Sequence, residues 1–101
     1  MDKQSLYNLV KNIPYGKVTT YGTLARLLGE PRSARQVGRL LHQNDRPKEV
    51  PCHRVVFKDG SLTPAFAFGV TQRAWLEDEC VRFNGDKVIM DEFFALPQIG
   101  K

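Results

Sequence analysis

No stretch of this 101-residue chain approaches the run of ~20 apolar side chains that crosses a bilayer, so no membrane helix is expected. The opening, MDKQSLYNLVKN, has neither the apolar core nor the cleavage site of a secretory leader. A soluble, cytoplasmic protein without membrane association is the expectation. Internal repeats, low-complexity tracts and Gly/Ser linkers are missing too, which leaves a single domain over residues 1–101. Cysteine and histidine are scarce, at two each. Cys52, Cys80, His42 and His53 lack paired metal-ligand spacing, so no structural zinc is expected. No secretory context supports a disulfide between the two cysteines either. Cys80 reads as a small buried residue at a helix end.

What is present is enough for a packed core: 42% of residues are hydrophobic and 26% charged, with 8 Gly and 6 Pro. The charge is unevenly placed. Residues 1–60 carry eleven Lys and Arg against five Asp and Glu, a net +6, whereas residues 61–101 are −2. A basic half in a small domain points to a polyanion, nucleic acid being the usual one, although a merely solvated basic surface has the same composition.

Leu6, Leu9, Val10 and Ile13 recur at helical spacing between Asp2 and Asn12, with Asp2 as N-cap and Pro14-Tyr15-Gly16 as the stop. Thr19 or Thr20 caps a second helix whose apolar stripe is Tyr21, Leu24, Ala25 and Leu28, ended by Gly29. After the turn Glu30-Pro31-Arg32, Ser33 caps a third helix to about Gln43. Ala34, Val37, Leu40 and Leu41 face inward there, and Arg32, Arg35, Gln36 and Arg39 face outward. Two short helices, a tight turn and an arginine-rich outer face form a helix-turn-helix pattern, which an ordinary helical hairpin also satisfies. Gly38 sits mid-helix at a cost of ~1 kcal/mol against Ala. With Ala34 it lets another backbone, protein or nucleic acid, approach closely. Val55-Val56-Phe57 and Ser61-Leu62 around Lys58-Asp59-Gly60 read as a short hairpin. An aromatic loop, TPAFAFG, leads to a fourth helix from Thr71 to Glu79 with Ala74, Trp75 and Leu76 inward. Asn84-Gly85 marks a turn, with a short strand at Val88, Ile89 and Met90, and the tail from Phe93 shows no pattern. The fold class expected is mainly α, a small winged-helix-like helix-turn-helix domain with one short β-hairpin.

Pro51-Cys52-His53-Arg54-Val55-Val56 carries the chemistry. A thiolate, the reactive form of cysteine, is favoured beside cations, and His53 and Arg54 follow Cys52 directly. On an extended strand neighbours point to opposite faces, so Cys52 and His53 need not touch directly; a bridging water, with an acid orienting the imidazole from behind, would connect them. A lone Cys-His pair is more often structural than catalytic.

PCHRVV, together with IPYGKVTTYGTLARLLG and SARQVGRLLHQN in this order, resembles the O6-alkylguanine-DNA alkyltransferases, the single-turnover DNA-repair family that moves an alkyl group from guanine onto a protein cysteine. The resemblance covers nearly the whole chain. It implies Cys52 as acceptor, His53 as its base through a bridging water, and Glu79, in LEDE, as the residue orienting His53. It implies Arg35 as the finger filling the stack after the nucleotide flips, and Tyr21 at the lesion's 3′ phosphate, helping protonate the departing base. Ser33, Ala34, Gln36, Gly38 and Arg39 would complete a recognition helix laid in the minor groove. Asn44 would brace the turn holding Cys52, and Arg54 would be a structural ion-pair partner. The carbonyls of Cys52 and Val55 would accept from the guanine amine. The partner implied is double-stranded DNA containing O6-alkylguanine, and no cofactor is needed. Ala65 or Phe66 stands where the family's lid has a tyrosine, so that hydroxyl is lost. Larger members carry a further N-terminal domain. The short form is similar to alkyltransferase-like proteins, which bind alkylguanine without repairing it but have another residue, often Trp, at the position of Cys52. Two readings follow from the resemblance, alkyl transfer and a lesion sensor that recruits nucleotide-excision-repair proteins. A third, an ordinary helix-turn-helix regulator, leaves PCHR unused. Transfer requires a sulfur that solvent can reach, on the side of the arginine-bearing helix.

Overall fold

Asp2 opens the first helix as expected, its carboxylate accepting from the Ser5 amide at 3.0 Å. Helix α1 runs Lys3–Lys11 and buries Leu6, Leu9 and Val10. A computed structural model describes residues 1–62 and 69–99; most of the aromatic loop, with Ala65 and Phe66, lies outside the described residues. Of the two candidate threonines it is Thr20 that caps α2 (Tyr21–Leu27), accepting from the Thr23 amide. The end of α2 is a Schellman motif. Glu30 N–H bonds the Ala25 carbonyl at 2.9 Å and Gly29 N–H that of Arg26 at 3.0 Å, with Gly29 at φ +79. That tight reversal packs α3 (Ala34–His42) onto α2, and Val37 and Leu41 enter the shared core. Ser33 departs from expectation: it stands at the N-cap, but its side chain makes no capping bond.

The largest correction concerns strand pairing. Val55–Val56 does not fold back on Ser61 and Leu62. It forms β2, parallel to β1 (Thr19–Thr20), with Thr19 opposite Val55 and Thr20 opposite Val56. Alternation along β2 then divides the core. Val55 joins the cluster of α1, α2 and α3, and Val56 joins Val18, Leu76, Val81 and Val88. The hairpin lies later in the chain, where β3 (Phe83–Asn84) pairs antiparallel with β4 (Lys87–Val88) around Gly85. Ile89 and Met90 are therefore not strand; Met90 begins the short α5 (Met90–Phe93). The tail has a role after all: Val18 N–H bonds the Phe93 carbonyl, and Ala95 N–H bonds that of Val18, both at 2.8 Å.

Helix α4 (Gly69–Asp78) buries Leu76, whereas Ala74 is exposed and Trp75 half-buried, contrary to the inward stripe expected. It too ends in a Schellman motif. Val81 N–H bonds the Leu76 carbonyl at 3.0 Å, and Cys80 N–H bonds Glu77 at 2.9 Å. Cys80, at φ +66, occupies the left-handed position that glycine prefers, and its free thiol is exposed rather than buried. Cys80→Gly is expected to raise unfolding stability by about 1 kcal/mol. Urea melts of the two proteins check this; a loss of stability would mean the side chain makes a contact worth more than the strain. The same cap fixes Glu79, the residue just before Cys80.

Candidate active site and nucleic-acid interface

Cys52 and His53 are not on an extended strand, as the sequence leads one to expect. They belong to a 3₁₀ turn, Cys52–Arg54, closed by Arg54 N–H on the Pro51 carbonyl at 3.0 Å. Proline at the turn's entrance suits its fixed φ. Asn44 braces the approach. Its Nδ2 donates to the Val50 carbonyl at 2.9 Å and to Cys52 Sγ at 3.3 Å, while its Oδ1 accepts from Arg46 N–H at 3.0 Å. Beyond the turn, His53 Nε2 meets Glu79 Oε2 at 2.7 Å. Arg54 turns to the same carboxylate, Nε reaching Oε1 at 2.9 Å and Nη2 reaching Oε2 at 3.0 Å, and its Nη1 donates to the Ile13 carbonyl. Gly16 N–H adds a bond to Glu79 Oε1 at 2.8 Å. Asn44, Cys52, His53, Arg54 and Glu79, which the resemblance implies as one site, are joined by these contacts.

Charge within this cluster follows burial and partners. Burial works to raise the Glu79 pKa, but the hydrogen bonds from Arg54, His53 and Gly16 outweigh it and hold the carboxyl below its usual range. Burial pushes the His53 pKa down, opposed by Glu79, so the imidazole is neutral near pH 7. With Nε2 facing the carboxylate, its Nδ1 is buried and has no hydrogen-bond partner among the described residues. The Cys52 thiol moves against expectation. Burial raises its pKa, the Asn44 bond offsets only part of that, and Arg54 spends its charge on Glu79. No standing thiolate is favoured.

The sulfur is also not open to solvent. Cys52 is 1% exposed and packed in the cluster that includes Tyr21, Val37 and Leu41. The sulfur shares this cluster with Val37 and Leu41 of α3 and takes a hydrogen bond from Asn44, just past that helix, but the access that transfer requires is not met in this conformation. Tyr21 is buried at the start of α2, its ring tilted on Phe57 at 5.3 Å, and burial first, then Cys52, pushes its pKa up to about 12. Its hydroxyl is therefore neutral near pH 7. Both carbonyls expected to meet a guanine amine already have partners, Cys52 from Val55 N–H and Val55 from Gln72 Nε2 at 3.1 Å.

Gln72 was missed. It is fully buried, its Nε2 also bonds the His53 carbonyl at 3.2 Å, and its Oε1 has no partner among the described residues. The signal was available in helical spacing, because Gln72, Leu76 and Glu79 share one face of α4. On α3, Arg35 and Arg39 are exposed and without ion pairs among the described residues, with Ser33, Ala34, Gln36 and Gly38 half-buried. Gly38 faces the Tyr21 ring, which would lie 3.8 Å from an added Cβ, so its neighbour inside the protein is that ring.

No helix among the described residues is long and apolar enough to cross a membrane. Compared with known proteins, the chain is 54% identical over 57 residues to the bifunctional methyltransferase/endonuclease of Thermoplasma volcanium, covering 56% of this chain and 18% of that protein. It is 39% identical over 74 residues to the methylated-DNA–protein-cysteine methyltransferase of Methanosarcina acetivorans, covering 73% and 47% respectively. The chain thus spans less than half the length of these curated relatives. Its fold is similar to the crystal structure of S. pombe Atl1 in complex with damaged DNA containing O6-carboxymethylguanine, with a TM-score of 0.82, 32% identity and 94% of each chain covered. Residues 2–81 match the family described as 6-O-methylguanine DNA methyltransferase, DNA binding domain, and with the helix-turn-helix, the Cys52 turn and the His53–Glu79 pair in place the chain belongs to that family.

Proposed function

We propose that this domain binds double-stranded DNA containing an O6-alkylated guanine and transfers the alkyl group to Cys52 in a single turnover. The observation that carries the proposal is the His53 ring: Nε2 is held by Glu79 at 2.7 Å, and the other ring nitrogen, Nδ1, is buried with no hydrogen-bond partner among the described residues. A buried ring nitrogen left free to accept is what a proton acceptor needs. A base that takes the Cys52 proton through a water accounts for it. Because burial keeps Cys52 a thiol, the nucleophile has to be made at the moment of reaction. Sulfur then forms a bond to the alkyl carbon, the carbon–O6 bond breaks, and the proton held by His53 is returned to the departing guanine, with Tyr21 as a neutral donor beside it. Arg35 fills the vacated stack, and Arg39, Ser33, Ala34, Gln36 and Gly38 hold the helix against the backbone. DNA has to open the site, since the sulfur is closed to solvent without it.

That closure, with the likeness to Atl1 over 94% of both chains, supports the second reading, a lesion sensor that holds the alkylated base and recruits excision repair. Intact mass after incubation with an O6-methylguanine oligonucleotide separates the two. A gain of one methyl, absent in Cys52→Ser, is expected for transfer. Tight lesion binding with unchanged mass assigns the sensor. Indifference to the lesion overturns both in favour of a general DNA-binding protein.

A further inference from the structure

Phe57 follows β2 and leaves a ring 41% exposed, although its backbone is fixed: its N–H bonds the Ser61 carbonyl at 2.9 Å, and its own carbonyl accepts from Gly60 at 2.8 Å. A large apolar ring held at the surface by a closed turn is not a frayed side chain. The other side of the ring meets Tyr21, centroids 5.3 Å apart, and the Tyr21 ring in turn lies under Gly38 of α3. Phe57, Tyr21 and Gly38 therefore form a continuous row from an exposed aromatic to the helix carrying Arg35 and Arg39. Lys58, exposed, comes next in the chain. Tyr15, the most exposed of the described aromatics, differs: Arg54 lies over its ring at 5.4 Å.

An aromatic face in one row with the helix of Arg35 and Arg39, exposed cations that have no ion pair among the described residues, suits an occupant with a π-face and flanking phosphates. An apolar protein side chain would use the ring but not the cations, and residues 1–60, where the row lies, carry a net +6. We infer that Phe57 is a stacking platform for an unpaired nucleobase at the edge of the α3 interface. The inference rests on the DNA-binding reading and adds to it a residue that neither the motif nor the sulfur chemistry requires.

Fluorescence anisotropy tests it with a labelled, fully paired duplex and the same duplex carrying one extrahelical adenine. Phe57→Ala is expected to weaken the bulged duplex on the order of ten-fold and to leave the paired one essentially unchanged. Phe57→Trp is expected to retain the preference. Phe57→Leu, which keeps the packing on Tyr21, is expected to lose it, which covers the case in which the alanine variant fails to fold. Equal losses on both duplexes, or none on either, overturn the platform. Failure of the unaltered protein to bind either duplex overturns the DNA-binding reading instead.

Discussion

Glu79→Gln is expected to destabilise the protein by about 3 kcal/mol and to slow alkyl transfer on the order of a hundred-fold. The carboxylate accepts from Gly16, Arg54 and His53, and it is nearly enclosed, as is the Arg54 side chain beside it. A carboxamide keeps an acceptor for Gly16 and part of the shape, but it removes the charge opposite a buried guanidinium. Breaking one half of such a pair leaves the other half uncompensated, which costs far more than a surface ion pair is worth. The rate effect has a separate origin. With the carboxylate gone, His53 loses the partner that fixes its ring and directs Nδ1, and Arg54 loses its anchor on the same oxygens. Equilibrium urea unfolding measures the first effect, and single-turnover methyl transfer at a temperature where both proteins are folded measures the second. Near-native stability would mean that the Arg54 pair is not the clamp described. Near-native transfer by the folded variant would remove Glu79 from the mechanism.

Local signals were legible where they were local. Asp2, Thr20 and Gly29 mark helix ends by side-chain capping and left-handed φ, and each does so in the structure. The parallel pairing of Thr19–Thr20 with Val55–Val56 was not legible, because strands of two residues have no period to read and their partner lies 36 positions away. Without that pairing, Val55 and Val56 look like one arm of a hairpin. The functional cluster was legible through PCHR and LEDE, but not its electrostatics. Proximity of Arg54 in sequence suggested a stabilised thiolate, whereas in space the guanidinium faces Glu79 and the sulfur faces apolar side chains and Asn44. Cys80 was misread for the same reason: its burial was inferred from residue type, while the Schellman cap of α4 places it outward.

The same cluster sets a stability profile with two limbs, and the sign of each follows from proton counts. His53 has a depressed pKa, so below its ordinary 6.5 the unfolded chain takes up a proton that the folded one refuses, and stability falls as pH drops. Glu79, also depressed, adds to this fall below its ordinary 4.5. On the other side Cys52 is raised, so above its ordinary 9.0 the unfolded chain gives up a proton that the folded one retains, and stability falls as pH rises. Tyr21, pushed from 10.0 to about 12, extends that alkaline limb. Urea midpoints are therefore expected to be flat between about pH 6.5 and 9 and to decline on both sides. Variants assign the limbs. Cys52→Ser should delay the alkaline decline until Tyr21 begins to titrate. Glu79→Gln should shrink the acid step to the part that Asp59, held down to about 2, and Asp2 supply, yet deepen the fall below 6.5, because the carboxylate is what holds the His53 pKa up against burial. A midpoint that stays level down to pH 5 would mean the imidazole accepts its proton inside the fold as readily as outside it, and a base so easily charged could not serve as the neutral acceptor of the Cys52 proton.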